Sequence, residues 1–298
     1  MTVLKEDVNN MKSFLIENVR NFATDYEKKL LTDSELIAKY SKYIEPEDLR
    51  HLDFSLSMDG SGSAGSFYKS VYLDKYYKLS LLLGNGMFGY EAINEVLASR
   101  IAELLGFDCV VYDLVYATVK IDSKEYTTWL CVSDNYKLPG DNRTTLEFQM
   151  KRTGISDAYV CCSNLGLKSQ INSMLLLDYI IDNRDRHAAN IEILYNNGNL
   201  RLAPIFDCGS SLLAPQQYNM ELIKNFDYMH NGPVNNCLIS VYWNDVLCKL
   251  KNQITVPFID LDELFISDLK YAVDEYIVDK ELDMIKCRYD YARRTLNG

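Results

Sequence analysis

The stretch SQINSMLLLDYII, between Lys168 and Ile181, is apolar on nearly every face. A helix of that kind has no side left for water, so it must run through the middle of a domain with other elements packed around it. The 298 residues can supply those elements: at about 150 residues per domain they make two domains or one large bilobed one. With 48% hydrophobic and 24% charged residues the chain can fill a substantial core, which excludes disorder, collagen and coiled coil.

The texture changes along the chain. In residues 1–50, Leu4, Val8, Met11, Phe14, Leu15 and Val19 fall near i, i+3, i+4 spacing, a second charged helix is expected over 33–43, and the whole reads as an appended helical segment. From 51 to 135 the pattern is β-rich: LDFSLSMDGSGSAGSFYKS reads as strand, Gly/Ser loop and strand, and YYKLSLLL as a short apolar strand. A helix is expected over about 90–105, with Ile93, Leu97, Ile101 and Leu104 as its stripe, and then two strands joined through Asp122–Lys124. The polar stretch 133–145 separates this half from a mainly helical one over 136–298, which contains a hairpin around Asn196, Asn197 and Gly198. The expected fold class is therefore α+β, β-rich first and helical after.

Asp and Glu outnumber Lys and Arg by 42 to 31, a net charge of −11, so a general nucleic-acid-binding surface is not expected. No stretch reaches the ~18 apolar residues of a membrane span, and the N-terminus lacks the apolar core of a secretory signal. The expected location is cytoplasmic, with export as an effector left open. The eight cysteines include no CxxC pair and the histidines number three, which points away from structural zinc and toward reduced thiols filling the core.

The chemistry-bearing signal follows the apolar helix: DNRDRHAANIEILYNNGNLRLAPIFDCGSSL, residues 182–212. Asp185 and Asn190 lie five positions apart on a loop, and a hairpin then returns Asp207 just before Cys208 and Gly209. Oxygen donors converging at the mouth of a hairpin suit Mg²⁺, a hard cation that shares its coordination with substrate phosphates. In phosphoryl transfer one Asp orients the attacking hydroxyl while an Asn and a second Asp hold the metal. Any one of these residues alone would be an ordinary turn former. His187 is read as packing within the loop.

NRDRHAANIEIL followed by LAPIFDCGSSL resembles the catalytic and metal loops of HipA-like serine/threonine protein kinases, in particular the shorter, stand-alone members. The resemblance covers roughly residues 55–298. It implies the bilobed protein-kinase fold, ATP and Mg²⁺ as cofactors, transfer to Ser or Thr of a protein, and autophosphorylation. SAGSFYK is similar to the phosphate loop, which assigns Gly62, Ser63, Gly65 and Lys69 to the nucleotide; YYKL implies that Lys78 is the nucleotide-binding strand lysine. NEVLASRIAELLG is similar to the helix carrying the partner glutamate, which falls on Glu95. Asp185 becomes the catalytic residue that orients the acceptor hydroxyl, and Asn190 and Asp207 the metal ligands. The residues themselves speak less clearly: Lys78 sits inside an apolar strand, where a cation needs a carboxylate or a phosphate, while Glu95 falls roughly opposite the apolar stripe, a solvent-exposed position, with Glu91 as its substitute. The larger toxin members carry an N-terminal β-rich subdomain that is absent here, so an antitoxin or other regulatory partner is not implied. Their regulatory loop serine would have to be Ser61, Ser63 or Ser66.

Two glycine triplets, Gly60, Gly62, Gly65 and Gly84, Gly86, Gly89, spell GxGxxG. The second follows a strand, opens a helix and has Asp108 and Asp113 downstream, the outline of a dinucleotide site. The paired strands that follow argue against a doubly wound sheet. Ser66 stands where a Walker A lysine would follow Gly65. The alternatives kept open are a kinase-fold scaffold without catalysis, a lipid or small-molecule kinase, and an NAD-binding enzyme.

Overall fold

The structure, a computed structural model, describes residues 13–56, 67–84, 86–232, 234–238 and 242–298. Gly60, Ser61, Gly62, Ser63, Gly65 and Ser66 of the first glycine loop, and Leu4, Val8 and Met11 of the N-terminal stripe, lie outside the described residues.

The chain opens with α1 (13–22), α2 (Asp25–Leu30) and α3 (Asp33–Tyr40). Thr24 with Glu27 and Thr32 with Glu35 form capping boxes, which is why two such short helices begin where they do. This segment is no appendage. Val19, Phe22, Leu36, Tyr40 and Tyr43 belong to the main core. The Phe22 ring lies 5.3 Å from Tyr43 and 4.8 Å from Tyr271, and Tyr43 is 6.3 Å from Trp129. Aromatic side chains bury enough surface to bind a segment of modest periodicity to distant elements.

The β-rich half is a five-stranded sheet in the order β1-β4-β5-β3-β2, built from β1 (Glu47–Asp48), β2 (Lys69–Tyr72), β3 (Lys75–Leu79), β4 (Asp113–Ile121) and β5 (Lys124–Asp134). Only β1 pairs in parallel. Two-residue turns with both φ positive, Leu73 and Asp74, then Asp122 and Ser123, join β2 to β3 and β4 to β5 and suit the twist of antiparallel strands. The expected strand YYKLSLLL is shorter: β3 ends at Leu79, and Leu82 bridges back to Phe88. Between β3 and β4 runs α4 (Glu91–Leu104), buried on nearly its whole circumference.

The second half holds α5 (Leu146–Thr153), α6 (Ala158–Asn164), α7 (Lys168–Ile180), α8 (Met220–Lys224), α9 (Trp243–Leu250), α10 (Ser267–Ala272) and α11 (Glu275–Asn297). The apolar helix is α7, with Ile171 and Met174–Ile180 all buried, as its composition requires. A small sheet, β6 (Asn142–Thr145), β7 (Glu192–Asn196) and β8 (Asn199–Leu202), is antiparallel throughout. The β7–β8 hairpin turns at Asn197 and Gly198 as expected. β6 forms within the stretch read as a polar separator, because pairing with β7 overrides the turn-forming composition. α10 ends at Val273, and Asp274 caps α11 anew. All eight cysteines are free; Cys131, Cys161, Cys162 and Cys208 are buried, whereas Cys248 and Cys287 are exposed and fill no core. Among the described residues no helix is long and apolar enough to cross a membrane.

The contact between α11 and the segment after Asp207 carries a pH effect. Glu281 is 1% exposed and accepts the Leu213 N–H at 3.3 Å; burial pushes its carboxyl from the ordinary 4.5 up to about 8, and the single hydrogen bond offsets this only in part. The folded protein therefore keeps a proton that the unfolded chain has lost. This contribution to stability is whole below the unfolded value and drains as pH rises toward the folded one, by at most about 1.4 kcal/mol per pH unit. Glu281→Gln, isosteric and uncharged, is expected to flatten that part of the curve, so that its melting temperature overtakes the parent's increasingly between about pH 5 and pH 8. Parallel melting curves for parent and variant would sink the idea.

Candidate active site

The site is assembled where α7 ends. The chain leaves the helix through Ile181 and Asp182, the latter left-handed at φ 50°, and Asn183 N–H returns to Asp178 O at 2.8 Å. Asp178, the one charge in the apolar half of α7, is fully buried, and its carboxylate takes Arg186 Nε at 3.1 Å, Arg186 Nη2 at 2.9 Å, Asn183 Nδ2 at 2.8 Å and Asn236 Nδ2 at 3.2 Å. Arg186, equally buried, also donates to Phe206 O at 2.6 Å and Cys208 Sγ at 3.3 Å. One guanidinium thus joins the loop after α7 to both residues flanking Asp207. Behind the hairpin, Ile205 is pinned to residues 108–110 by two backbone hydrogen bonds of 2.9 Å.

Asp207 adopts φ 59°, a left-handed conformation that costs a non-glycine residue strain unless the surroundings enforce it. The surroundings are charged. Lys78, from β3, ion-pairs with Asp207 Oδ1 at 2.6 Å and closely with Glu95 Oε1, and its Nζ lies 4.9 Å from the centre of the Phe67 ring. Glu95 Oε2 accepts the Cys208 N–H at 2.8 Å. Burial works against the Lys78 charge, but the carboxylates of Asp207 and Glu95 outweigh it and hold its pKa above the ordinary lysine value. Burial likewise favours neutral Asp207, yet Lys78, and then Lys69, hold its carboxyl well below the usual range. Lys78 and Asp207 are therefore both held in their charged forms.

Lys78, Asp207, Lys69 and Asn190 line one cleft. Lys69, opposite Lys78 in the β2–β3 register, has no carboxylate in ion-pair range among the described residues, and burial and then repulsion from Lys78 lower its pKa. A cation held like this calls for an anionic ligand. The lining carries four cations, Lys69, Lys78, Lys137 and Arg143, against two carboxylates, Asp207 and Glu192, in a chain whose net charge is −11. Tyr76, Tyr136 and Phe206 form an aromatic wall, with centroid spacings of 6.5 Å and 5.8 Å. Cations beside stacked rings suit a ligand that is both phosphorylated and aromatic.

Glu95 does not occupy the solvent position its spacing suggested. It is 1% exposed because α4 is sandwiched between sheet and helices, which removes the polar face that helical periodicity assumes. Glu91, the substitute, points elsewhere, to Leu81 N–H and Gln217. Asp185 is half-buried and accepts from Asn235 Nδ2 at 3.1 Å, on the same loop as Asn190 but outside the cleft lining. His187 is half-buried too. The second glycine loop is a tight turn closed by Leu83–Met87 and Gly89–Leu81 backbone bonds, and with β3 and β5 antiparallel it opens no dinucleotide unit. Sequence reasoning did not reach Arg186, Tyr136, Lys137 or Arg143. For Arg186 a signal existed: a lone Asp in an otherwise apolar helix demands a buried cation.

Among the described residues no cluster of three or more His, Cys, Asp or Glu could hold a metal by itself. Mg²⁺ does not need one, since it takes one or two protein oxygens and completes its shell with phosphates and water. Asn190 and Asp207 fit that pattern: both face the cleft, and the Asn190 carboxamide makes no hydrogen bond to a described group.

No family model matches the sequence, and no curated protein does. Solved structures do. The crystal structure of the Helicobacter pylori proinflammatory kinase CtkA superposes with a TM-score of 0.56 at 15% identity, over 85% of this chain and 99% of that one. This chain shares the fold of that kinase. HipA of Shewanella oneidensis, solved with HipB and operator DNA, aligns at 13% identity over 75% of this chain and 58% of that one, at a TM-score of 0.38. Within this fold, the cleft described above lies between the β-rich and the helical halves, lined by β2, β3 and β5 from one and by Asn190, Phe206 and Asp207 from the other.

Proposed function

We propose that the protein is an ATP- and Mg²⁺-dependent kinase that transfers the γ-phosphoryl group to a Ser or Thr hydroxyl of a protein, itself included. The observation that carries this reading is the buried Lys78–Asp207–Glu95 cluster facing a cationic, aromatic cleft beside Asn190. Lys78 would contact the α and β phosphates, with Lys69 adding charge beyond them, and the aromatic wall would hold the base. Asn190 and Asp207 would hold Mg²⁺, which when bound neutralises charge developing on the phosphates. Asp185 would orient the acceptor hydroxyl, and its place outside the cleft lining suits a group that meets the acceptor rather than the nucleotide.

Incubation with γ-labelled ATP, Mg²⁺ and generic Ser/Thr acceptors is expected to label the protein or an acceptor. ATP with Mg²⁺ should raise the melting temperature where NAD does not. Absence of both labelling and ATP binding would overturn the reading, and labelling of lipid or small molecules alone would move the acceptor class.

A further inference from the structure

The first turns of α4 are stitched to the segment after Asp207 by side chains the phosphoryl-transfer reading leaves unused. Besides Glu95 on Cys208 N–H, Asn94 Nδ2 donates to Ser211 O at 3.0 Å. Farther along, Gln217 reaches back to the helix start: its Oε1 accepts Tyr90 N–H at 2.6 Å and its Nε2 donates to Glu91 Oε1 at 2.7 Å. Glu91 is 5% exposed and has no cation in ion-pair range among the described residues; its remaining donor is the Leu81 N–H at 3.1 Å. A buried carboxylate satisfied only by neutral donors is costly if one is lost, so Gln217 and Glu91 depend on each other.

The backbone is shaped for this contact. A Cβ at Gly89 would stand 2.8 Å from Gln217 Oε1, and one at Gly209 would stand 2.8 Å from Glu91 O. Gly209 lets the chain approach closely where no side chain fits, because backbone stands opposite it; at Gly89 the neighbours are the movable ends of Glu91 and Gln217. The same seam holds buried polar atoms that make no hydrogen bond among the described residues, Asn94 Oδ1, Ser211 Oγ and Gln216 Oε1. A seam with unmet polar atoms is weakly self-adhesive, so its few completed bonds decide whether it stays closed.

We propose that Gln217 and Glu91 form a latch: they are positioning residues that hold α4 against the segment after Asp207 and so keep Glu95 on Lys78. The proposal rests on the kinase reading of the Lys78–Glu95 pair. It predicts an exchange rule. Glu91→Gln leaves one of its two donors unanswered whichever way the amide turns, and Gln217→Glu sets carboxylate against carboxylate. The double variant reverses donor and acceptor and restores the bonds to Leu81, Tyr90 and each other.

Each single variant is expected to lose about tenfold in kcat with a smaller change in the KM for ATP, and the double variant to return to within about threefold of the parent. Gln217→Met, similar in size, is the milder second variant and should show the same loss. Singles that keep parental kcat, or a double variant as impaired as the two losses multiplied, overturn the latch. If the parent transfers no phosphate and binds no ATP, it is the kinase reading that fails. Hydrogen exchange then reads the latch alone: amides of residues 91–95 should exchange faster in each single variant and at the parental rate in the double, and unchanged protection overturns it.

Discussion

Asp185→Asn is expected to lower the kcat of phosphoryl transfer by about 10²- to 10⁴-fold, the usual worth of a positioned acid–base group, while ATP and Mg²⁺ bind as before. The separation of the two effects follows from where the residue sits. Asp185 lies outside the cleft that Lys69, Lys78, Asn190 and Asp207 line, and its backbone N–H is held independently by Asn183 Oδ1 at 3.3 Å. The substitution keeps size and shape and removes the charge that would align the acceptor hydroxyl. Single-turnover transfer measured alongside an ATP–Mg²⁺ titration would decide the matter. If transfer survives within tenfold, the acceptor is oriented by another group and Asp185 is a turn residue bonded to Asn235. If binding collapses together with transfer, Asp185 belongs to the nucleotide site instead.

Parts of this site could be read before any coordinates. The order Asp185, Asn190, Asp207 is legible because a loop, a two-residue hairpin turn and a return strand leave little freedom over so short a stretch. Lys78 is legible because a cation within an apolar strand needs an anionic partner, and that demand is met twice, by Asp207 and Glu95. Glu95 is where the reading fails on physical grounds. Periodicity identifies one buried face and treats the rest of the helix as wet, yet α4 has neighbours on all sides. The N-terminal helices were misjudged for a related reason: a few large rings, Phe22, Tyr40 and Tyr43, bind them to Tyr271, Phe265 and Trp129, contacts separated by up to about 250 residues that no local pattern encodes. The turn at Leu73 and Asp74 has positive φ at both residues without glycine or asparagine, so its composition gave no hint. Lys137 and Arg143 reach the cleft from a stretch read as a separator, because β6 and the preceding loop are placed by β7 rather than by their own composition.

Arg186 carries the largest expected effect on stability. It and Asp178 are both fully buried, joined by two hydrogen bonds, and the guanidinium also satisfies Phe206 O and meets Cys208 Sγ. Burial opposes its charge, but Asp178 and the other groups around it more than compensate and raise its pKa above the ordinary arginine value. Removing only the cation leaves the Asp178 side chain in an apolar interior without its ion-pair partner, with two asparagine amides for company. Arg186→Leu is therefore expected to cost about 3–5 kcal/mol, read as a lower urea midpoint at unchanged m-value. Removing both charges is a different experiment, because the desolvation cost of the pair disappears along with its attraction. The double variant Asp178→Leu, Arg186→Leu should regain much of that loss. Its catalysis should not return with its stability, since Phe206 and Cys208 lose the anchor that holds Asp207 between them in its left-handed conformation. A double variant that recovered both would show that Asp207 is held by Lys78 and Glu95 alone, and one that recovered neither would mean that the pair stabilises the fold in its own right.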